Sequence, residues 1–325
     1  MNTKFDELAK NLPRPFSQPR NLDGCASLRL LALGLFLCAS LEARPATFTT
    51  LDLPGVAATL PAGINLSGQI VGREVDLSGT SHGFLLSDSS VTVIDYPGAV
   101  WTDTVGINDA GQIVGTYSLT DAGGSKSVTG FLLSGGAYTS IRFPGAGQTH
   151  CRGINTAGDI TGYYTVNNAD NGDVNRHGFL LHAGVFTSIN YPGAKYTEAW
   201  RVNDSGQVLG RYIGGDGNFH LYLLVNGTFT SIDYPGALQT APGEFSHLGG
   251  LNNNGDMVSD YCSSGKCVLS TVGEIHGFLL SGGAFTALDV PGSAATVAFG
   301  INDLGNIVGA YQDSSFRIHG YLMSP

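Results

Sequence analysis

The sequence predicts an all-β protein, a six-bladed β-propeller of four-stranded blades whose last blade is completed by the N-terminal strand. Three observations predict it. One motif recurs six times; 47 glycines in 325 residues, with 13% charged residues, fit short strands joined by many turns; and the two ends of the repeat array are complementary. A chain of this length is long enough to bury a large core.

The motif is clearest at Gly106-Ile107-Asn108-Asp109-Ala110-Gly111-Gln112-Ile113-Val114-Gly115. Its asparagine returns at Asn65, Asn155, Asn203, Asn252 and Asn302, each followed three residues later by a glycine, at intervals of 43 to 50 residues. Such a period belongs to propeller blades or other repeat arrays.

Each copy divides into four strands, a to d. Strand a ends in the Gly-Ile-Asn sequence and strand b is the Gln-Ile-Val-Gly type; between them Asn-Asp-x-Gly gives a tight hairpin, its glycine taking the positive φ that an L-residue resists. Strand c is the His-Gly-Phe-Leu-Leu type, with its aromatic at Phe84, Phe131, Phe179, Tyr222, Phe278 and Tyr321. A turn such as Gly135-Gly136 or Asn226-Gly227 leads into strand d, the Phe-Thr-Ser-Ile-Asp-Tyr type. Strand d ends at Pro54, Pro97, Pro144, Pro192, Pro235 and Pro291, because proline cannot donate to a ladder. The array opens with a lone strand d, Phe48 to Leu53, and closes after strand c at Met323. The first piece supplies what the last lacks, which fastens a ring and leaves no array end to cap.

Spacing separates two faces. From the start of strand c to the next proline is 15 residues in every complete copy, whereas asparagine to strand c runs 17, 21, 22, 17, 24 and 17. In a meander the b-to-c and d-to-a connections share one face and both hairpins share the other. One face is constant and the other carries the variable loops, as where a scaffold presents binding loops.

Residues 1–43 differ in composition from the rest. Five basic residues precede an apolar run from Leu30 to Ala39, too short to span a bilayer, and small Ala43 suits the position before cleavage. This reads as a signal peptide with an N-terminal extension, followed by a propeller over residues 44–325, and so predicts a secreted or periplasmic protein without a transmembrane span. The long basic stretch also allows a later translation start. Leu35-Phe36-Leu37 before Cys38 lacks the small residue expected beside a lipidated cysteine. Cys262 and Cys267 are expected to form a disulfide in an oxidising compartment, and Cys151 to be buried and unpaired. Five of the 16 Lys and Arg and four of the 26 Asp and Glu lie in the first 43 residues, which leaves 11 against 22. That surface repels phosphate backbones, so nucleic acid is not an expected partner.

Positions shared by every copy are structural. One near-constant hydroxyl, six before the asparagine at Thr59, Thr102, Thr149, Thr197, Ser246 and Thr296, is expected to bond the d-to-a turn. The next position varies: Leu60, Asp103, His150, Glu198, His247 and Val297. Two further on stand Ala62, Val105, Arg152, Trp200, Gly249 and Phe299. These begin the innermost strands, so Asp103, His150, Arg152, Glu198, Trp200 and His247, with Glu244 from the longest d-to-a loop, form the candidate ligand cluster at the channel mouth. The histidines His82, His177, His220, His276 and His319 occupy one position in separate blades and read as packing or turn contacts. Asn168 to Asp173 loosely follows an oxygen-rich calcium loop but lacks the closing glutamate. No metal or cofactor is expected, no catalytic residue is assigned, and no nucleophile elbow, phosphate loop or His-Glu-x-x-His pattern occurs.

The repeated Gly-Ile-Asn-x-x-Gly-x-Ile-Val-Gly, with His-Gly-Phe-Leu-Leu and Ile-Asp-Tyr-Pro-Gly-Ala, resembles the HAF-type extracellular repeat of bacterial proteins over residues 46–325. That resemblance implies export and repetition and no agreed activity. Copy four departs most, with Arg201-Val202-Asn203 and His220-Leu221-Tyr222. The expectation is an exported, monomeric, non-enzymatic propeller that binds a polar ligand, glycan or surface protein. A secreted hydrolase or lyase acting on polysaccharide and a structural envelope protein are the competing classes.

Overall fold

The computed structural model describes residues 46–120, 126–166, 176–242, 249–264, 267 and 274–325. Residues 1–45, Glu244, His247 and the suggested calcium loop lie outside them. Six antiparallel sheets stand in a ring as a six-bladed propeller. Their innermost strands are Ala58–Ile64, Trp101–Ile107, Gln148–Ile154, Thr197–Val202, the pair Gln239–Thr240 and Gly250–Leu251, and Ala295–Ile301. Blade six is closed by Thr47–Leu51 lying antiparallel to Ile318–Ser324, with Thr49 opposite Leu322 and the Phe48 ring 5.5 Å from Tyr321. Among the described residues no helix is long and apolar enough to cross a membrane.

Each recurrent residue has a mechanical reason. The asparagine carboxamide closes its own hairpin: Asn108 Oδ1 accepts from Gln112 N at 2.9 Å and its Nδ2 donates to Gln112 Oε1 at 2.9 Å. The same Nδ2 reaches Asn155 O in the next blade at 2.9 Å. All six asparagines repeat this step, the last from Asn302 to Asn65 O at 3.0 Å, so the hydrogen bonds run round a closed circle. The threonine hydroxyl accepts the backbone N–H six residues before it, as in Tyr96 to Thr102 at 3.0 Å. In blade five that hydroxyl is Thr240, which accepts from Tyr234 at 2.9 Å. Thr240 therefore takes the place expected of Ser246, five residues after the proline as in the other blades.

The strand-c aromatics are buried, none more than 1% exposed. In five blades they fit because strand b carries glycine beneath the ring, Ser259 standing there in blade five: a Cβ on Gly115 would lie 2.0 Å from Asp103 O and 2.8 Å from Phe131. Blades are clamped by aromatics across the seams. Tyr96 stacks on Tyr117 of the next blade at 3.6 Å, and Phe143–Tyr164, Tyr191–Tyr212 and Tyr234–Tyr261 repeat this at 3.6–3.7 Å. Such pairs contribute about 0.5–1.5 kcal/mol beyond burial. The disulfide joins Cys262 to Cys267, and Cys151 is free and buried, its thiol pushed up by desolvation.

The strand-c histidines bond within their own blades. In blades one, four and six, where asparagine to strand c is 17 residues, the ring lies between two carboxylates. His220 Nδ1 is 2.7 Å from Asp233 and Nε2 3.1 Å from Asp216; His319 is likewise held by Asp52 and Asp313, and His82 by Asp95 and Asp76. Burial alone would lower these imidazoles, but the flanking carboxylates outweigh it and hold all three above their ordinary value.

Removing residues 46–55 takes away half-buried Phe48 and Leu51 and buried Leu53. Each fully buried side chain of this size is worth roughly 1.5–3 kcal/mol, so a loss of at least about 3 kcal/mol is expected. Thermal unfolding followed by circular dichroism checks it; an unchanged midpoint overturns the ring closure. The raised imidazoles stabilise the fold fully below the unfolded histidine value of about 6.5, and that contribution is lost as pH rises through their folded values. The urea midpoint should therefore fall between pH 6 and pH 8.5, by less in a His82→Gln, His220→Gln, His319→Gln variant. An equal fall in the variant removes these pairs as its source.

Candidate functional site

The innermost strands carry a β-bulge in five blades, at Ala62, Val105, Arg152, Trp200 and Phe299, where one residue is left out of the ladder. A bulge frees a carbonyl from its ladder partner. All five freed carbonyls accept from one guanidinium, that of Arg201. Its Nη1 donates to Arg152 O and Trp200 O at 2.5 and 3.2 Å, and its Nη2 to Ala62, Val105 and Phe299 O at 2.8–3.4 Å. Arg201 stands where the other blades have glycine: Gly63, Gly106, Gly153, Gly250 and Gly300. Those glycines let the strands approach closely; a Cβ on Gly153 would lie 2.6 Å from Trp200 O. Burial, and next the Arg152 charge, pushes Arg201 down to about 9, which leaves it protonated at neutral pH. The channel is therefore closed at this level.

On the hairpin side of Arg201 lies a dish of about 90 Å³ lined by the six asparagines and by Leu66, Asp109, Thr156, Asp204, Asn253 and Asp303. The carboxylates here are committed to turns: Asp109 accepts from Leu66 N, Asp204 from Thr156 N and Asp303 from Asn253 N, each at 2.8 Å.

The described sequence-predicted residues, Asp103, His150, Arg152, Glu198 and Trp200, lie on the inner strands toward the variable loops, and the last four come together across blades three and four. Glu198 is fully buried. Its Oε1 accepts from Arg176 at 2.6 Å and Tyr196 at 2.7 Å, and its Oε2 from Trp200 Nε1 at 2.8 Å and Arg211 Nε at 3.0 Å. Arg211 continues to the Ala241 and Pro242 carbonyls of blade five at 3.1 and 3.2 Å, and its guanidinium lies 4.1 Å from the Phe219 ring centroid. In blade three, His150 stacks on Tyr163 at 4.3 Å, and the same ring is flanked by Arg176 at 4.7 Å and Arg152 at 5.2 Å. Trp200 is wholly buried, so its indole braces Glu198 and offers no plate to a ligand.

Asp103 stands apart, 3.7 Å from Arg73 of blade one. The Asp103 and Glu198 carboxylates thus have separate partner sets. In blade five the residue after the turn hydroxyl Thr240 is Ala241, and His247 lies outside the described residues. Leu60, Ala62, Val105, Val297 and Phe299 fill the opposite side of the channel as one apolar cluster.

Tyr163, Arg176, Tyr196, Arg201 and Arg211 complete the site and lie outside the varying positions of the inner strands from which the sequence expectation was drawn. A signal for two of them is present: the strand-b residue paired with the variable inner position is itself variable, with Tyr163 opposite His150 and Arg211 opposite Glu198.

Arg201→Met should lower stability by at least about 3 kcal/mol, because each buried acceptor left without a donor costs about 1–3 kcal/mol. Glu198→Gln should cost about 3–5 kcal/mol, since it leaves buried guanidiniums uncompensated. Arg73→Gln, at a half-exposed pair, should cost under about 1 kcal/mol. Urea unfolding measures all three, and a parental midpoint for Arg201→Met would exclude its axial role.

No protein-family model and no curated protein sequence matches the chain. Among solved structures it is similar to a mutant of the Aleuria aurantia lectin in complex with Fucalpha1-6GlcNAc, with a TM-score of 0.50 and 11% identity over 84% of this chain and 93% of that one. A Dyadobacter fermentans protein of unknown function gives 0.51 and 12% over 84% and 100%, and a putative TolB from Agrobacterium tumefaciens 0.50 and 13% over 83% and 91%. At these identities the likeness is one of fold.

Proposed function

We propose that this chain is an exported repeat protein of the HAF type that binds a polar ligand, of which a glycan is the favoured class, through its loop-bearing face, without chemical turnover. The observation that carries the reading is Glu198. A carboxylate accepting four hydrogen bonds from arginine, tyrosine and tryptophan has no lone pair directed at a substrate, and a general base or nucleophile needs one. Asp103 is turned to Arg73, so the two inner-strand carboxylates do not share a bond to be cleaved. What the cluster provides is a rigid polar wall, held by packing and hydrogen bonds, beside the face where all the loop variation lies. Rigidity of this kind favours recognition, because little side-chain freedom remains to be lost on binding. The Aleuria lectin of like fold was solved with a fucosylated disaccharide, which supports a glycan as the ligand class.

The test uses residues 44–325 on a glycan array, in parallel with reducing-end release from a polysaccharide panel. Binding without product is expected. Product release that Glu198→Gln abolishes in a folded protein would establish an enzyme instead. N-terminal sequencing of the protein recovered from culture medium or periplasm is expected to begin at Arg44; recovery of the chain only from cytosol would remove the export half of the reading.

A further inference from the structure

Four guanidiniums are buried around the channel, and they differ in what balances them. Arg201 donates to five backbone carbonyls. Arg176 and Arg211 share the Glu198 carboxylate and the Tyr196 hydroxyl. Arg152 has neither a carboxylate nor a carbonyl acceptor among the described residues. Its nearest polar contact is Tyr163 Oη, 3.4 Å from Nη2, and its buried Nε has no partner. The side chain is 8% exposed, which keeps it reachable from solvent yet nine-tenths withdrawn from it. A guanidinium so placed lacks the partner that normally accompanies a buried charge.

We propose that the channel mouth at blade three takes an oxyanion group of the ligand, a carboxylate or sulfate, on Arg152, with His150 alongside it. Planar N–H pairs of arginine suit a two-oxygen anion, and the bond strengthens as water is excluded. His150 is also 8% exposed and stacks on the Tyr163 ring that Arg152 flanks; its Nε2 lies 3.4 Å from Gln148 Oε1. Arg176, 4.7 Å from the centroid of the same ring, adds a positive field. The chain as a whole carries a net charge of -10, so long-range attraction does not gather anions here; selection falls to this buried contact. The inference rests on the proposed binding function and narrows its ligand to acidic glycans.

The experiment is calorimetric titration of residues 44–325 at constant ionic strength with glucuronate, with an oligomer of an acidic polysaccharide, with inorganic sulfate and with neutral glucose. Glucuronate and the acidic oligomer are expected to bind and glucose to bind at least tenfold more weakly. Arg152→Gln is expected to lose at least tenfold in affinity and Arg152→Lys, which keeps the charge, to lose less; thermal midpoints establish that both fold. Sulfate binding that depends on Arg152, without any sugar binding, keeps the anion site and sinks the glycan ligand. Neutral glycans binding as well as acidic ones, or acidic ones binding undiminished to Arg152→Gln, overturns the anion site and leaves the binding function standing.

Discussion

The ring is held shut by six carboxamides. Each asparagine at the foot of an innermost strand accepts a backbone N–H four residues on and donates across the seam to the next asparagine's carbonyl. Aspartate could not donate, and glutamine would place the amide one methylene too far from both partners. Because the acceptor is backbone, the circle fixes the spacing of the strands themselves. That spacing is small enough to favour glycine two residues earlier in five of the six blades, where a Cβ on Gly63 or Gly300 would sit 2.9 or 2.8 Å from the neighbouring strand's carbonyl. The recurrent Gly-Ile-Asn is thus one constraint written three residues long.

A ring of identical blades has an axis on which no copy has a privileged claim, and here blade four supplies the exception. The five bulge carbonyls converge on the axis, and without a donor they would form a buried patch of partial negative charge. Arg201 meets that need at the cost of burying a charge, which the five acceptors offset. Around it the symmetry is abandoned further: one side of the channel is an apolar cluster of blades six, one and two, and the other is the Glu198 network of blades three and four. A buried ion network of this sort adds little net stability over an apolar filling. Its value lies in fixing polar groups beside the variable loops, where packing alone would leave none.

Much of the architecture was legible in the sequence because it repeats. The hairpins, the turn hydroxyl, the closing N-terminal strand and the Cys262–Cys267 pair follow from local chemistry or from comparison of copies. The blade-five hydroxyl is not legible from the spacing to Asn252, because the extra residues lie between it and the asparagine; the hydrogen bond from Tyr234 to Thr240 keeps the spacing from the proline that the other blades have. Arg201 was visible only as a departure of copy four, since its acceptors lie up to 139 residues away in sequence. Glu198 stands out as a varying position, but the donors that occupy it do not: Arg176 and Arg211 stand on strands c and b respectively, outside the column of inner-strand positions.

The same geometry decides from which side an anion can enter. Asp109, Asp204 and Asp303 fall in blades two, four and six, and each receives the backbone N–H of the blade before it. Three carboxylates therefore alternate around the hairpin-side dish, fixed in place by the turns they cap. Any anion approaching along the axis from that side meets their combined field and then the closed level at Arg201. Among the described residues, the inner-strand position at the opposite mouth carries Leu60, Asp103, His150, Glu198, Ala241 and Val297, and both carboxylates among them are already paired. Arg152 is not among the residues lining the hairpin-side dish, so the polarity of the channel follows from which turns needed a cap and which blade gave up its glycine.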